Sequence, residues 1–343
     1  MVRKMSVPPM ELTEQDGEGT QLCAVVEEIG QITLKRALIP EPQDGEVRVK
    51  VKWVGICGSD VEVFRGAREP EFISYPTRLG HEVAGVIDKV GRNVTGLQVG
   101  DPVALRYVWG AFAEYVCCGP FSVKKLPKEL PLIEGSLIEV LPGVIHAAEI
   151  ADIAPNKNVL IMGQGVSGLV LTQVVSLYSP RNLVVTDLFD EKLELARKYG
   201  ATHTYRMPSE GASTMDIVGS DFPNGFDVVI PCLLEGDGMV DAINAAAQNG
   251  RIVMYGCIGT CHKPVDFFKV HKKRLDIFST EPKRDIDNRT YFDKGLQLVQ
   301  DGLVNTEEMI THIVKLKDVA EAFKLRNEHK GDTIHVMIDC ERE

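Results

Sequence analysis

The sequence predicts an α/β protein of two domains, a mainly β domain followed by a doubly wound parallel sheet. Three observations predict it. Residues 21–123 run in short alternating or apolar stretches broken by glycine and proline. Near Ala147 the texture changes, and apolar runs begin to alternate with stretches of helical period. Between the first such run and the first such helix stands the turn Gly163-Gln164-Gly165-Val166-Ser167-Gly168. A chain of 343 residues is long enough for both domains to bury a core.

In chain order, residues 1–20 are polar and acidic, contain Pro8 and Pro9, and read as a weakly ordered lead-in. Strands of the β domain are expected at 46–54, 82–90 and 112–118. The second half offers strand-like runs at 158–162, 182–186, 202–205, 226–232, 251–256 and 275–280. Helices are expected at 166–178 and at 191–199, the latter stopped by Gly200. A third helix is expected over 237–248, ended by Asn249-Gly250. A helix near 291–300 and an apolar run at 333–338 close the chain, and this tail is expected to return to the first domain. The domains are therefore placed at 1–145, completed by 283–343, and at 146–282.

Composition narrows the function. Hydrophobic residues at 44% and charged residues at 25% suit a soluble globular protein. The net charge is −11 and the one basic run, Lys272-Lys273-Arg274, is short, so no nucleic-acid partner is expected. No apolar stretch reaches the length of a membrane span or a signal peptide, so no membrane partner and a cytoplasmic location are expected. Eight scattered cysteines show no paired framework and suit free thiols in a reducing compartment.

The glycine-rich turn carries the first chemistry. Gly163 would make the tight turn, Gly165 would let the backbone approach a pyrophosphate, and Gly168 would let helix pack on strand. The helix start, with the N–H groups of Val166 and Ser167, offers a positive dipole end to phosphates. Asp187 ends the next strand, where its carboxylate can accept both adenosine ribose hydroxyls and repel a 2′-phosphate. Leu188 and Phe189 follow, with no Arg to welcome that phosphate, so NAD is expected rather than NADP.

The second candidate site joins Cys57, in Gly55-Ile56-Cys57-Gly58-Ser59-Asp60, to His81-Glu82, in Leu79-Gly80-His81-Glu82. A thiolate, an imidazole and a carboxylate could ligate one zinc. With Gly100-Asp101-Pro102-Val103, Ala111-Phe112-Ala113-Glu114-Tyr115 and the nucleotide turn, these segments resemble the medium-chain zinc-dependent dehydrogenases. Ser136-Leu137-Ile138-Glu139 and Val144-Ile145-His146-Ala147 resemble the sorbitol dehydrogenase-like, polyol branch. The resemblance implies a GroES-like catalytic domain plus a Rossmann domain. It implies Cys57, His81 and Glu82 as zinc ligands, with Glu139 in the fourth position, directly or through water. Asp60 would orient His81 from behind. Ser59 would take the proton of a substrate hydroxyl whose carbon gives a hydride to NAD. A small hydroxylated substrate and a homodimer or homotetramer are implied in the same way.

The sequence also departs from that pattern. Only residues 102–110 lie where the family often inserts a lobe with four cysteines and a structural zinc, so one zinc per chain is expected. Glu62 stands where the polyol branch places the outer histidine of a proton relay. A glutamate there also fits an aldose dehydrogenase, or a plain exposed acid. Val63 replaces an aromatic residue, and 279–284 is either an altered pocket edge or a solvated connection. Plain sorbitol and xylitol are thus disfavoured, whereas sugar phosphates, aminocyclitols and aldoses stay open. A zinc-free quinone or enoyl reductase is the competing class, and it would lack the Cys57, His81 and Glu82 set.

Overall fold

The computed structural model describes residues 7, 10–67, 73–209, 211–233, 236–256, 261–280 and 290–341. The chain divides into two compact units. One comprises Met1–Glu139, Asn288–Gln300 and Asn305–Glu343; the other comprises Val140–Asp287 and Asp301–Val304.

The first unit opens with the antiparallel pair β1 (Thr20–Glu28) and β2 (Gln31–Leu38). β3 (Val47–Gly55) follows, with Val47, Val49 and Val51 fully buried and Arg48 and Lys50 between them partly exposed. That alternation is the two-residue period of a strand with one face on the core. α1 (Gly58–Phe64) comes next, then β4 (Glu82–Val90), β5 (Pro102–Leu105), β6 (Tyr115–Cys118), β7 (Val123–Lys125) and α2 (Leu132–Gly135). Two acids in the family-like segments have structural partners. Glu114 accepts the Leu22 N–H at 2.7 Å, and Asp101 accepts the Gln98 N–H at 2.9 Å.

The second unit runs α3 (Leu141–Ile150), β8 (Asn158–Met162), α4 (Val166–Ser176), β9 (Asn182–Asp187), α5 (Asp190–Lys198), β10 (His203–Arg206) and α6 (Thr214–Val218). It continues with β11 (Phe226–Pro231), α7 (Gly238–Ala245), β12 (Ala246–Met254), α8 (Phe267–Lys273) and β13 (Asp276–Ser279). The six strands are parallel in the order β10-β9-β8-β11-β12-β13. Val159, Leu160 and Ile161 are fully buried in succession, as in a sheet covered on both faces. Strand order reverses between β8 and β11, the place where such sheets open a ligand crevice at their carboxyl ends.

The tail adds α9 (Phe292–Gln300), β14 (Ile310–Lys315), α10 (Val319–Glu328) and β15 (His335–Asp339). β15 lies antiparallel on β3, so the first unit's sheet reads β14-β15-β3-β4-β5-β7, with β6 also on β3.

Some expectations need correction. The helix expected over 237–248 stops at Ala245, because Ala246 turns extended and pairs with Phe226. Lys273 Nζ then donates to the carbonyls of Ile243, Asn244 and Ala246 at 3.0, 2.9 and 2.6 Å, which satisfies the helix end. The polar lead-in is tied down in part. Leu12 bridges Ala37, and the Leu38 N–H donates to Glu11 at 2.8 Å. Residues 1–6, 8–9 and the expected pocket edge at 281–284 lie outside the described residues. Among the described residues no helix is long and apolar enough to cross a membrane.

Candidate active site

Strand register assembles the metal-type cluster. β4 begins at Glu82, opposite Gly55 at the end of β3, and β15 sets Met337 against the same glycine from the other side. Glu82 and His335 therefore converge over Gly55, where an added Cβ would stand 2.3 Å from Glu82 Oε2 and 2.4 Å from His335 Nε2. Only glycine fits beneath that pair. Glu82 Oε2 lies 3.1 Å from His335 Nε2, with both side chains buried.

Cys57 stands just before α1, where Asp60 fixes it. The Cys57 N–H donates to Asp60 Oδ2 at 3.0 Å, so the carboxylate reaches back over the helix start as in a capping box. Asp60 Oδ1 accepts the Gly80 N–H at 3.1 Å and lies 3.4 Å from His81 Nδ1. One fully buried carboxylate thus ties the cysteine segment to the histidine segment and faces Nδ1, which would leave Nε2 of His81 for a metal. The Trp109 ring stacks on His81 with centroids 4.3 Å apart.

Donor atoms of Cys57, His81 and Glu82 all lie within 4.8 Å of one another. A thiolate, an imidazole and a carboxylate suit zinc, and these three residues would hold one such ion. Glu82 Oε2 is buried without a hydrogen bond of good geometry, as expected of a carboxylate that a cation completes. Electrostatics agree. Burial raises the Cys57 thiol, and the neighbouring Glu82 raises it further. Burial works against a charged His81, but Asp60 and Cys57 outweigh it and hold the imidazole well above its usual value. Burial likewise opposes ionised Glu82, yet His335 and His81 hold its carboxyl below the usual range.

The remaining expected residues are placed as follows. Glu139 lies outside the three-residue cluster, with Oε1 3.1 Å from Arg106 Nη1, which also donates to the Glu139 carbonyl. Burial pushes its carboxyl up to about 7 despite Arg106. Ser59 is partly buried in the first turn of α1, and Glu62 is buried on the same helix. The reading of Glu62 as a plain exposed acid therefore fails. His335, Trp109 and Arg106 are absent from the sequence reading. The only local signal for any of them is a histidine inside the apolar run 333–338.

In the second unit, Gly163 follows β8 with φ of 92°. A Cβ on Gly168 would stand 2.0 Å from the Gly163 carbonyl oxygen, whereas one on Gly165 would meet nothing within 4 Å. The open space over Gly165, where α4 starts, is what a close-approaching phosphate needs. Asp187 Oδ2 accepts the Gln164 N–H at 2.6 Å and Oδ1 the Phe189 N–H at 3.1 Å. Each carboxylate oxygen keeps a second lone pair for a ribose hydroxyl.

Residues 43–128 match the model of the alcohol dehydrogenase GroES-like domain, and 168–294 match that of the zinc-binding dehydrogenases. A D-xylulose reductase of Scheffersomyces stipitis is 30% identical over 92% of this chain and 96% of its own length. The sorbitol dehydrogenase of Bacillus subtilis is 26% identical over 92% of this chain and 96% of its own. Among solved structures, an Escherichia coli alcohol dehydrogenase complexed with NADH is 26% identical, with a TM-score of 0.80 over 94% of this chain and 99% of that one. With the cysteine, histidine and glutamate set in place and both family models matched, the chain belongs to the medium-chain zinc-dependent alcohol and polyol dehydrogenases.

Proposed function

We propose that this dehydrogenase oxidises a secondary alcohol of a polyol, cyclitol, aminocyclitol or sugar, with NAD as hydride acceptor. The observation that carries the reading is the buried Cys57, His81 and Glu82 set locked by Asp60, in a chain whose relatives include D-xylulose reductase and sorbitol dehydrogenase. Cys57, His81 and Glu82 would hold the zinc, with Glu139 at the fourth position directly or through water. Zinc bound there supplies Lewis acidity that lowers the pKa of a substrate hydroxyl.

The chain's own residues do the rest. Asp60 holds the His81 ring in one orientation and stabilises its ligand tautomer. Ser59 accepts the hydroxyl proton and passes it on without holding charge. Glu62, buried on the same helix, takes that proton outward. Gly163, Gly165 and Gly168 admit the cofactor pyrophosphate to the Val166 and Ser167 N–H groups, and Asp187 takes the adenosine ribose. Because Asp187 repels a 2′-phosphate, NAD is favoured over NADP. Buried Glu62 equally supports an aldose as substrate, held through its hydroxyls, as the second reading. A cytoplasmic homodimer or homotetramer fits the same reading. Phe267 and Phe268 on α8, 74% and 68% exposed beside the edge strand β13, supply an apolar face for it.

A panel of polyols, cyclitols, aldoses and their phosphates tests this by the absorbance of reduced cofactor. NADH formation from at least one panel member is expected, with kcat/KM at least about 10-fold lower for NADP. Equal use of both cofactors would remove the role given to Asp187, and no turnover by zinc-loaded enzyme would remove the substrate class.

A further inference from the structure

Glu139 stands on the face of the sheet that carries the proposed ligands, yet its carboxylate is held by another partner. The one-turn helix Ser136–Glu139 fixes its place. Ser136 Oγ lies 3.8 Å from Met337 Sδ, and Met337 pairs with Gly55, the glycine beneath Glu82 and His335. In a helix of three residues per turn, positions three apart share a face, so Glu139 stands on the Ser136 side, toward that part of the sheet. Arg106 meets it from the neighbouring strand. The register pairs Val83 with Leu105 and, one residue on, sets Arg106 across from Glu82 on the same face. The Arg106 N–H donates to the Ser122 carbonyl at 3.0 Å, so its backbone keeps the ladder past the end of β5. Nη1 of Arg106 donates to the Glu139 backbone carbonyl and lies 3.1 Å from Glu139 Oε1. Cζ sits 4.7 Å from the centre of the Tyr107 ring, which fixes the guanidinium from a second side. Little of either side chain meets solvent, 7% for Arg106 and 12% for Glu139. An enclosed ion pair resists separation, because either partner left alone is an uncompensated charge. Glu139 accordingly lies outside the group of three donors.

We infer that Arg106 is a positioning residue that holds the Glu139 carboxylate off the metal, so that Cys57, His81 and Glu82 ligate alone and the fourth position stays open. This rests on the dehydrogenase reading and narrows the part of Glu139 in it to contact through water. A fourth protein donor would close the site as in a structural zinc centre, whereas a catalytic one keeps a position for substrate. Arg106 itself touches neither the metal nor the reacting atoms.

The test loads the chelator-stripped full chain with Co(II) in place of zinc and follows its visible absorption, which reports ligand type and geometry. Azide serves as the probe of an open position. In the unsubstituted protein the bands should depend on Cys57 and should shift when azide is added. Arg106→Met frees Glu139 to ligate, so the bands should change, the azide response should vanish and Co(II) should bind at least about 10-fold tighter. Adding Glu139→Gln to Arg106→Met should restore the original bands and the azide response and cancel most of that gain. Glu139→Gln alone should leave the bands as they are. Changed bands in Glu139→Gln alone overturn the inference, because Glu139 would already be a ligand. A gain in affinity that persists in full in the double variant also overturns it, since Arg106 would then act only as a repelling charge. If Arg106→Met does not fold, Arg106→Lys takes its place. Lysine keeps the charge but loses the planar fork, so the same changes are expected in part, and bands and azide response equal to those of the unsubstituted protein overturn the inference. Absence of Cys57-dependent Co(II) binding would remove the metal centre itself and the inference with it, whereas bands that ignore Arg106 remove the inference alone. None of these readouts uses turnover, so a failed substrate panel is distinguished from a failed role for Arg106.

Discussion

Cys57 and His81 both hold protons at neutral pH in the metal-free protein, because burial and Glu82 raise the thiol while Asp60 outweighs burial and holds the imidazole charged. A zinc ion must displace both protons to reach sulfur and nitrogen. Zinc affinity should therefore climb steeply with pH around 7, by up to about 100-fold per unit if two protons leave together. Calorimetry in buffers of different ionisation enthalpy should find about two protons released per zinc; zero release would mean the ligands are already deprotonated. Glu139 has the opposite linkage. Its carboxyl is raised to about 7 by burial, so the folded state holds that proton longer than the unfolded chain does. The stability linked to it is fully present below the unfolded value of about 4.3 and is lost as pH rises through about 7. Metal-free protein should thus lose about 1–3 kcal/mol between pH 5 and 8 that Glu139→Gln does not lose. Denaturant melts at several pH values read this directly, and parallel curves for the two proteins would contradict it.

Among the elements, the β8-turn-α4 unit makes the sharpest demand on its sequence. A methyl at position 168 would collide with the Gly163 carbonyl, which is backbone and cannot swing aside. Gly168→Ala should lower Tm and weaken NADH binding by at least about 10-fold, while zinc content, held in the other unit, stays unchanged. Intact NADH affinity would mean the turn does not carry the cofactor. This unit was readable in the sequence because every requirement is local: strand, three glycines, helix, then Asp187 at the end of β9. Cys57, His81, Glu82 and Asp60 were readable for the same reason, each sitting in a short segment. His335 was not, since it reaches Glu82 only when β15 returns to lie on β3. Arg106 and Trp109 are equally products of tertiary approach and leave no local pattern. The end of α7 was misread because helical period continues past Ala245, whereas pairing of Ala246 with Phe226 wins the residues after it for β12. Tertiary pairing overrode a weak local preference.

For the whole molecule, we propose that one cation, held by Cys57, His81 and Glu82 of the first unit, gives the chain its dehydrogenase activity. Among the described residues only one group of three donors lies close enough to hold such an ion. Cys117 and Cys118 are adjacent on β6, where Cys117 Sγ faces the Pro40 carbonyl at 3.6 Å and burial raises both thiols. That arrangement suits packing and not a second tetrahedral site. The most direct measurement is therefore a zinc titration of chelator-stripped enzyme, following the rate of NADH formation on the best member of the substrate panel. The rate should start near zero, rise linearly and break at one zinc per chain, and Cys57→Ala should show no rise at any ratio. Full activity before zinc is added, or a break at two zincs per chain, would contradict the account.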